Sequence, residues 1–153
     1  MDIALSKNIS INELKSSICS FFATESVFIG DITEIIDNPT NVFISIVSNE
    51  SEFPFGLSIS KLPKHISSEN FQNMTILLAY FLANRFNCPT ICDGTGFGDY
   101  NSQYWSIIWD DGIAYLADDS NSLLGDGEGG KVKRIKKLNI DIDELSKQLG
   151  LTI

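Results

Sequence analysis

The sequence predicts an α+β domain. An antiparallel sheet of about five to six strands should pack against a central apolar helix, with further helices near the N- and C-terminal ends. Three observations predict it. A helix-start signature followed by an apolar stripe at helical spacing opens the chain. A longer and more apolar helical pattern occupies its middle. Short β-branched and aromatic runs, separated by turn residues, fill the intervals. At 153 residues, with no internal repeat or linker, the chain fits one domain spanning residues 1–153. A chain of this size buries roughly two-thirds of its unfolded surface, so a core forms without disulfides or metals.

The elements follow in order. Ser10-Ile11-Asn12-Glu13 is a capping box, and Leu14, Ile18, Phe21 and Phe22 then share one face of a helix ending near Phe22. Residues 27–36 and 42–47 are rich in β-branched residues and flank Asp37-Asn38-Pro39-Thr40, so they are expected to form an antiparallel hairpin. Residues 53–59 add a third strand, with Pro54 confined to its start or to an edge. From Ser68 to Phe86 the stripe Phe71, Met74, Leu78, Phe81 and Leu82 is widened by Ile76, Leu77 and Tyr80. Such a helix belongs across the sheet, and Asn87 and Pro89 end it. A Gly-rich loop over residues 93–99 precedes a second hairpin, residues 103–109 and 113–117, turned by Asp110-Asp111-Gly112. Residues 132–138 suit an edge strand guarded by lysines. Asp141 caps a last helix to Leu149, with Gly150 beyond its end.

The net charge is −9, and its placement matters. Residues 1–130 hold five basic and 17 acidic side chains, whereas residues 131–153 hold six basic and three acidic. No Lys or Arg lies between Arg85 and Lys131. Such a field repels nucleic acid and anionic membranes and attracts a basic partner. No apolar run reaches the roughly 18 residues of a spanning helix, and no basic-then-apolar leader opens the chain. The three cysteines, Cys19, Cys88 and Cys92, do not form a secreted disulfide framework, so the expected compartment is the cytoplasm.

Motifs for catalysis are weak. Gly125 to Lys131 has the spacing of a phosphate-binding loop, but Val132 stands where the metal-binding Ser or Thr belongs, and Asp126 and Glu128 repel a polyphosphate. A flexible acidic loop is the expectation. The single histidine, His65, suits the surface, and the cysteines suit the core. Asp110/Asp111 and Asp118/Asp119 flank one hairpin; at 5–9 Å a carboxylate pair would allow glycosidase-type acid–base work, but a tight turn is exposed. The acidic loops lack a calcium-loop pattern, and no cofactor is implied.

What remains is an acidic, aromatic surface with interface composition. An apolar helix (Leu77 to Ala83), Cys92-Asp93-Gly94, and a hairpin ending in aspartates (Tyr104 to Asp119) resemble the immunity proteins of bacterial polymorphic-toxin and contact-dependent growth-inhibition systems. The resemblance implies a small, acidic, cytoplasmic protein that is not an enzyme. Its partner would be a cognate toxin domain with a basic surface, a class that includes many nucleases, blocked through Asp93, Asp99, Tyr100, Asp110, Asp111, Asp118 and Asp119. The element order is also similar to that of type III secretion chaperones, which act as homodimers on an effector segment. A small hydrolase is the third alternative.

Overall fold

The computed structural model describes residues 1–31, 33 and 40–153. Helix α1 (Ile11–Phe22) begins where the capping box places it: the Glu13 backbone N–H donates to Ser10 Oγ at 3.3 Å, and that hydroxyl donates to Glu13 Oε2 at 2.6 Å. It ends on Ala23 in the left-handed region, φ 49°. Helix α2 (Phe71–Phe86) follows a single 3-10 turn at Ser68–Asn70 and buries eight residues from Met74 to Ala83. Helix α3 (Ile142–Leu149) is capped by the Asp141 side chain and stopped by Gly150 at φ 64°.

Among the described residues eight strands form one mixed sheet: β1 (Ile3–Leu5), β2 (Val27–Ile29), β3 (Val42–Ser48), β4 (Phe55–Lys61), β5 (Thr90–Asp93), β6 (Trp105–Asp110), β7 (Ile113–Asp118) and β8 (Lys133–Leu138). Their order across the sheet is β2-β3-β4-β1-β5-β6-β7-β8. The α+β class agrees with the sequence, but the strand count and pairing correct it. Two central strands, β1 and β5, add to the expected set. Both are too short to show periodicity, and both are buried between neighbours. The expected antiparallel hairpin is also corrected. Among the described residues of the first run, Val27–Ile29 forms a strand, and it pairs with β3 in parallel, Val27 opposite Val42. A parallel neighbour needs a crossover of about a dozen residues. The expected turn at residues 37–39 lies outside the described residues.

Three further expected features are found. Pro54 immediately precedes β4. The β6–β7 hairpin turns through Asp111 (φ 50°) and Gly112 (φ 75°), the two positive angles of a primed turn. Strand β8 is the exposed basic edge, and a bulge opposite Leu116/Ala117 blunts it further.

All three helices contribute to one core on one face of the sheet, centred on α2 over β1, β5 and β6. Thr90 fixes that packing, its buried hydroxyl donating to the Ala79 carbonyl at 2.9 Å. On the opposite face lies a smaller apolar cluster of Ala4, Phe53, Ile91, Ile108 and Ala117, with no helical residue in it. The loop after β7 covers part of this face through Leu124 and Val132. Among the described residues no helix is long and apolar enough to cross a membrane.

Candidate functional site

The site grows from strand alternation on the face that no helix covers among the described residues. The register pairs Ala4 with Ile91 and Ile91 with Ile108, an apolar row across β1, β5 and β6. Two residues along, Asp93 pairs with Ser106 and Ser106 with Ala117. Asp2, one residue before β1, continues this second row beside Asp93, its backbone N–H donating to the Leu57 carbonyl at 2.8 Å. An apolar row and a polar row therefore lie side by side. A cavity of about 250 Å³ opens above them, bordered by Met1, Asp2, Asp93, Ser106, Asp119 and Leu124.

Asp119 is the hub of this cavity. Ser106, almost fully buried, donates its hydroxyl to Asp119 Oδ2 at 2.6 Å. The Asp119 carbonyl accepts from the Ser122 backbone N–H and hydroxyl, each at 2.9 Å, and its own N–H reaches the Tyr104 carbonyl at 3.1 Å. Desolvation pushes the Asp119 carboxyl above its ordinary range, and the nearby charges of Asp118 and Asp93 push the same way. The Ser106 hydrogen bond only partly offsets them.

The other carboxylates are structural to different degrees. Asp93 Oδ1 accepts from the Thr95 hydroxyl at 2.6 Å and Oδ2 from Gln72 Nε2 at 3.0 Å, tying the Gly-rich loop to the start of α2. Asp2 Oδ2 accepts from the Ile59 N–H. Asp118 Oδ1 accepts from the Ser120 N–H at 2.9 Å. Tyr104 donates its hydroxyl to Asp126, and that bond pushes the phenol above its usual range.

Of the seven residues singled out in the sequence, the fold brings five together at one end of β6. These are Asp93, Asp99, Tyr100, Asp118 and Asp119. Tyr100, 63% exposed, sits with its ring 5.0 Å from Trp105, whose indole N–H donates to the Tyr100 carbonyl at 2.8 Å. Asp110 and Asp111 lie at the other end of the hairpin. Five residues of strand, roughly 17 Å, separate them from Asp118. The carboxylate pair entertained for acid–base work is not assembled there. Asp110 instead accepts from Arg134 Nη2 at 2.8 Å, and Arg134 also lies over the Tyr115 ring at 4.7 Å. Asp99 pairs with Lys136 at 3.2 Å. These are the ion pairs among the described residues, so the carboxylates around the cavity have no cation partner.

Sequence reasoning missed Asp2 and Ser106. The only available signal was one polar residue, Ser106, set between apolar neighbours on an otherwise buried strand. It also read residues 125–130 as a flexible loop. They fold back on the 119–122 turn instead, with Gly125 and Gly127 N–H groups both donating to the Ser122 carbonyl at 3.1 Å. Ser122 is fully buried. Burial raises all three thiols, and Cys92 most, which leaves none poised as a nucleophile. His65 is exposed. Among the described residues, no group of three or more Asp, Glu, His or Cys side chains is placed to hold a metal ion.

The raised Asp119 carboxyl has a measurable consequence. Its folded pKa exceeds its unfolded one, so its stabilising contribution is complete below the ordinary carboxylate range and is lost as pH rises through the folded value. At neutral pH the charged form opposes folding. Asp119→Asn, which keeps an acceptor for Ser106, should therefore raise the melting temperature at pH 7.5 by roughly 1–3 °C, because the group is only half-buried. That advantage should vanish as the pH falls below about 4. Calorimetric melts of both proteins from pH 3.5 to 8 check this, and a variant less stable at neutral pH would contradict it.

Comparison with protein-family models, with curated proteins and with solved structures gave no match for this chain.

Proposed function

We propose that this chain is an immunity protein, which binds a cognate toxin domain with a basic surface and occludes that domain's active site. One observation carries the reading. Asp93, Asp118 and Asp119 gather at one end of β6, none of them in an ion pair among the described residues; Asp93, Asp119 and Trp105 border a cavity, and the exposed ring of Tyr100 lies against Trp105. Uncompensated charge of one sign steers an oppositely charged partner, and aromatic anchors next to it hold the complex once formed. A nuclease with a basic substrate groove is the toxin class such a surface fits best.

The surface is also built to be stiff. Asp93 is tied to α2, Asp119 to β6 and the turn after β7, and Tyr104 to Asp126. Preorganised groups lose little entropy on binding, which favours tight inhibition. A chaperone for an unfolded effector segment would need a continuous apolar surface. The exposed large apolar side chains here are spread over separate elements, including Ile11 on α1, Val47 on β3 and Ile135 on β8.

The test is co-expression of the chain with the product of the neighbouring toxin gene in its source genome. Growth should be rescued, and a one-to-one complex should be isolated. Reversing Asp93, Asp118 and Asp119 to lysine should weaken that complex at least about tenfold at low salt, with a smaller loss at high salt. Reversing Asp110 and Asp111 should weaken it less, because they stand at the far end of the hairpin. No rescue, or a complex indifferent to all five charges, would sink the proposal.

A further inference from the structure

The cavity beside Asp119 is specific about what can fill it. We infer that it receives a single arginine side chain of the bound partner, with the aliphatic stem lying on Ala4 and Ile91 and the guanidinium meeting Asp119, beside Asp93. This rests on the reading of the chain as a toxin-binding immunity protein, and it names the chemistry of the contact.

Size comes first. About 250 Å³ falls just below the roughly 300–1,000 Å³ of pockets that enclose whole small molecules, so one long side chain suits it better. The walls come second. The floor is an apolar row, Leu124 overhangs it, and the polar row of Asp2, Asp93 and Ser106 closes one side. A groove apolar along its length and anionic at one side matches a side chain with an apolar stem and a charged head.

Charge decides the sign of the head group. Three carboxylates border the cavity, and neither ion pair among the described residues involves them. Asp119 Oδ2 is engaged by Ser106 and Asp2 Oδ2 by Ile59 N–H, while Oδ1 of each accepts no hydrogen bond from the described residues. An anion is repelled here. A metal ion lacks a set of three ligands among the described residues.

Arginine is favoured over lysine on solvation and geometry. The guanidinium is weakly hydrated and carries five donors in a planar fork, so it reaches more than one acceptor at once. An ammonium is a compact, strongly hydrated charge, and it loses more on entering a half-desolvated site. Arginine is also the charged residue most often found as an interface anchor in such pockets.

The test uses the full 153-residue chain, labelled with nitrogen-15 and titrated with Nα-acetyl-arginine methylamide. Saturable amide shifts are expected at Ala4, Ile91, Ser106 and Asp119, with millimolar affinity of the order expected for one side chain. The neutral citrulline analogue should produce none of them, and the lysine analogue should bind at least about threefold more weakly. Asp119→Asn should weaken arginine binding about tenfold while the protein stays folded, and Asp143→Asn on α3 should not change it. Equal shifts from lysine or from calcium chloride, shifts located elsewhere, or no response would overturn the inference. If arginine fails to bind while the toxin complex still forms, this inference alone falls. If arginine binds but no toxin domain is captured, the immunity reading falls, and the toxin as donor falls with it.

Discussion

Replacing Phe21 with alanine should lower stability by about 3–5 kcal/mol, the usual cost of deleting a fully buried aromatic ring. Phe21 is 2% exposed and sits where α1 meets α2. Its ring lies 4.8 Å from that of Phe22, edge-on, and 5.2 Å from that of Phe81. Truncation removes apolar area, two aromatic contacts and the filler between two helices, and neither helix can move inward without leaving the sheet. Domains are typically stable by about 5–15 kcal/mol, so the loss is a large fraction of the total. Urea unfolding should show a much lower midpoint with an unchanged slope. Phe21→Leu, which keeps most of the volume, should cost less. A Phe21→Ala loss below about 1 kcal/mol would mean that the α1–α2 packing described above is wrong.

The second large effect is expected at Gly94, for a reason independent of apolar burial. A Cβ at this position would lie 2.6 Å from the Ser106 carbonyl carbon and 2.9 Å from Ser106 Cα and O. All three atoms are backbone, so no rotamer change relieves the clash. The Gly94 N–H also donates to the Trp105 carbonyl at 2.9 Å, which holds the β5 end against β6. Gly94→Ala should push the two strands apart at a cost of about 1–3 kcal/mol. Asp93 and Ser106, its neighbours along and across the strands, both border the cavity, so partner binding should fall as well. This pattern differs from that of Asp119→Asn, which should lose binding while gaining stability at neutral pH. Thermal melts and binding titrations on the two variants separate strand displacement from charge removal. Equal stability of Gly94→Ala and the parent would contradict the close approach.

Local signals in the sequence were strong where they involved neighbours in the chain. The Ser10 and Asp141 caps, the glycine after Leu149, the Asp111-Gly112 turn and the lysine-lined edge strand are each short-range chemistry, and each is found as expected. Strands β1 and β5 were illegible because three or four residues cannot display an alternation. They are strands only because β4 and β6 lie beside them. The β2–β3 pairing failed for another reason: β-branched composition marks an extended segment but not the direction of its partner. The site shows the same division. Asp119 and Asp93 stood out by charge. Asp2 and Ser106 did not, because their proximity follows from β1 entering the middle of the sheet.

That entry also shapes how the molecule comes together. On one side of β1 lie β2, β3 and β4; on the other, β5 to β8 form a meander whose successive strands are joined in chain order. Each ribbon needs only local loops to form, which are quick to close. The seam between them is three residues long, and it joins Ile3 to Leu57 on one side and to Cys92 on the other. Closing it means capturing the start of the chain across separations of more than fifty residues. Until that happens β4 and β5 are both raw edges able to recruit strands from other molecules. Crowded, slow-folding conditions therefore expose this protein to misassembly at the middle of its sheet, while the blunted outer strand β8 stays safe.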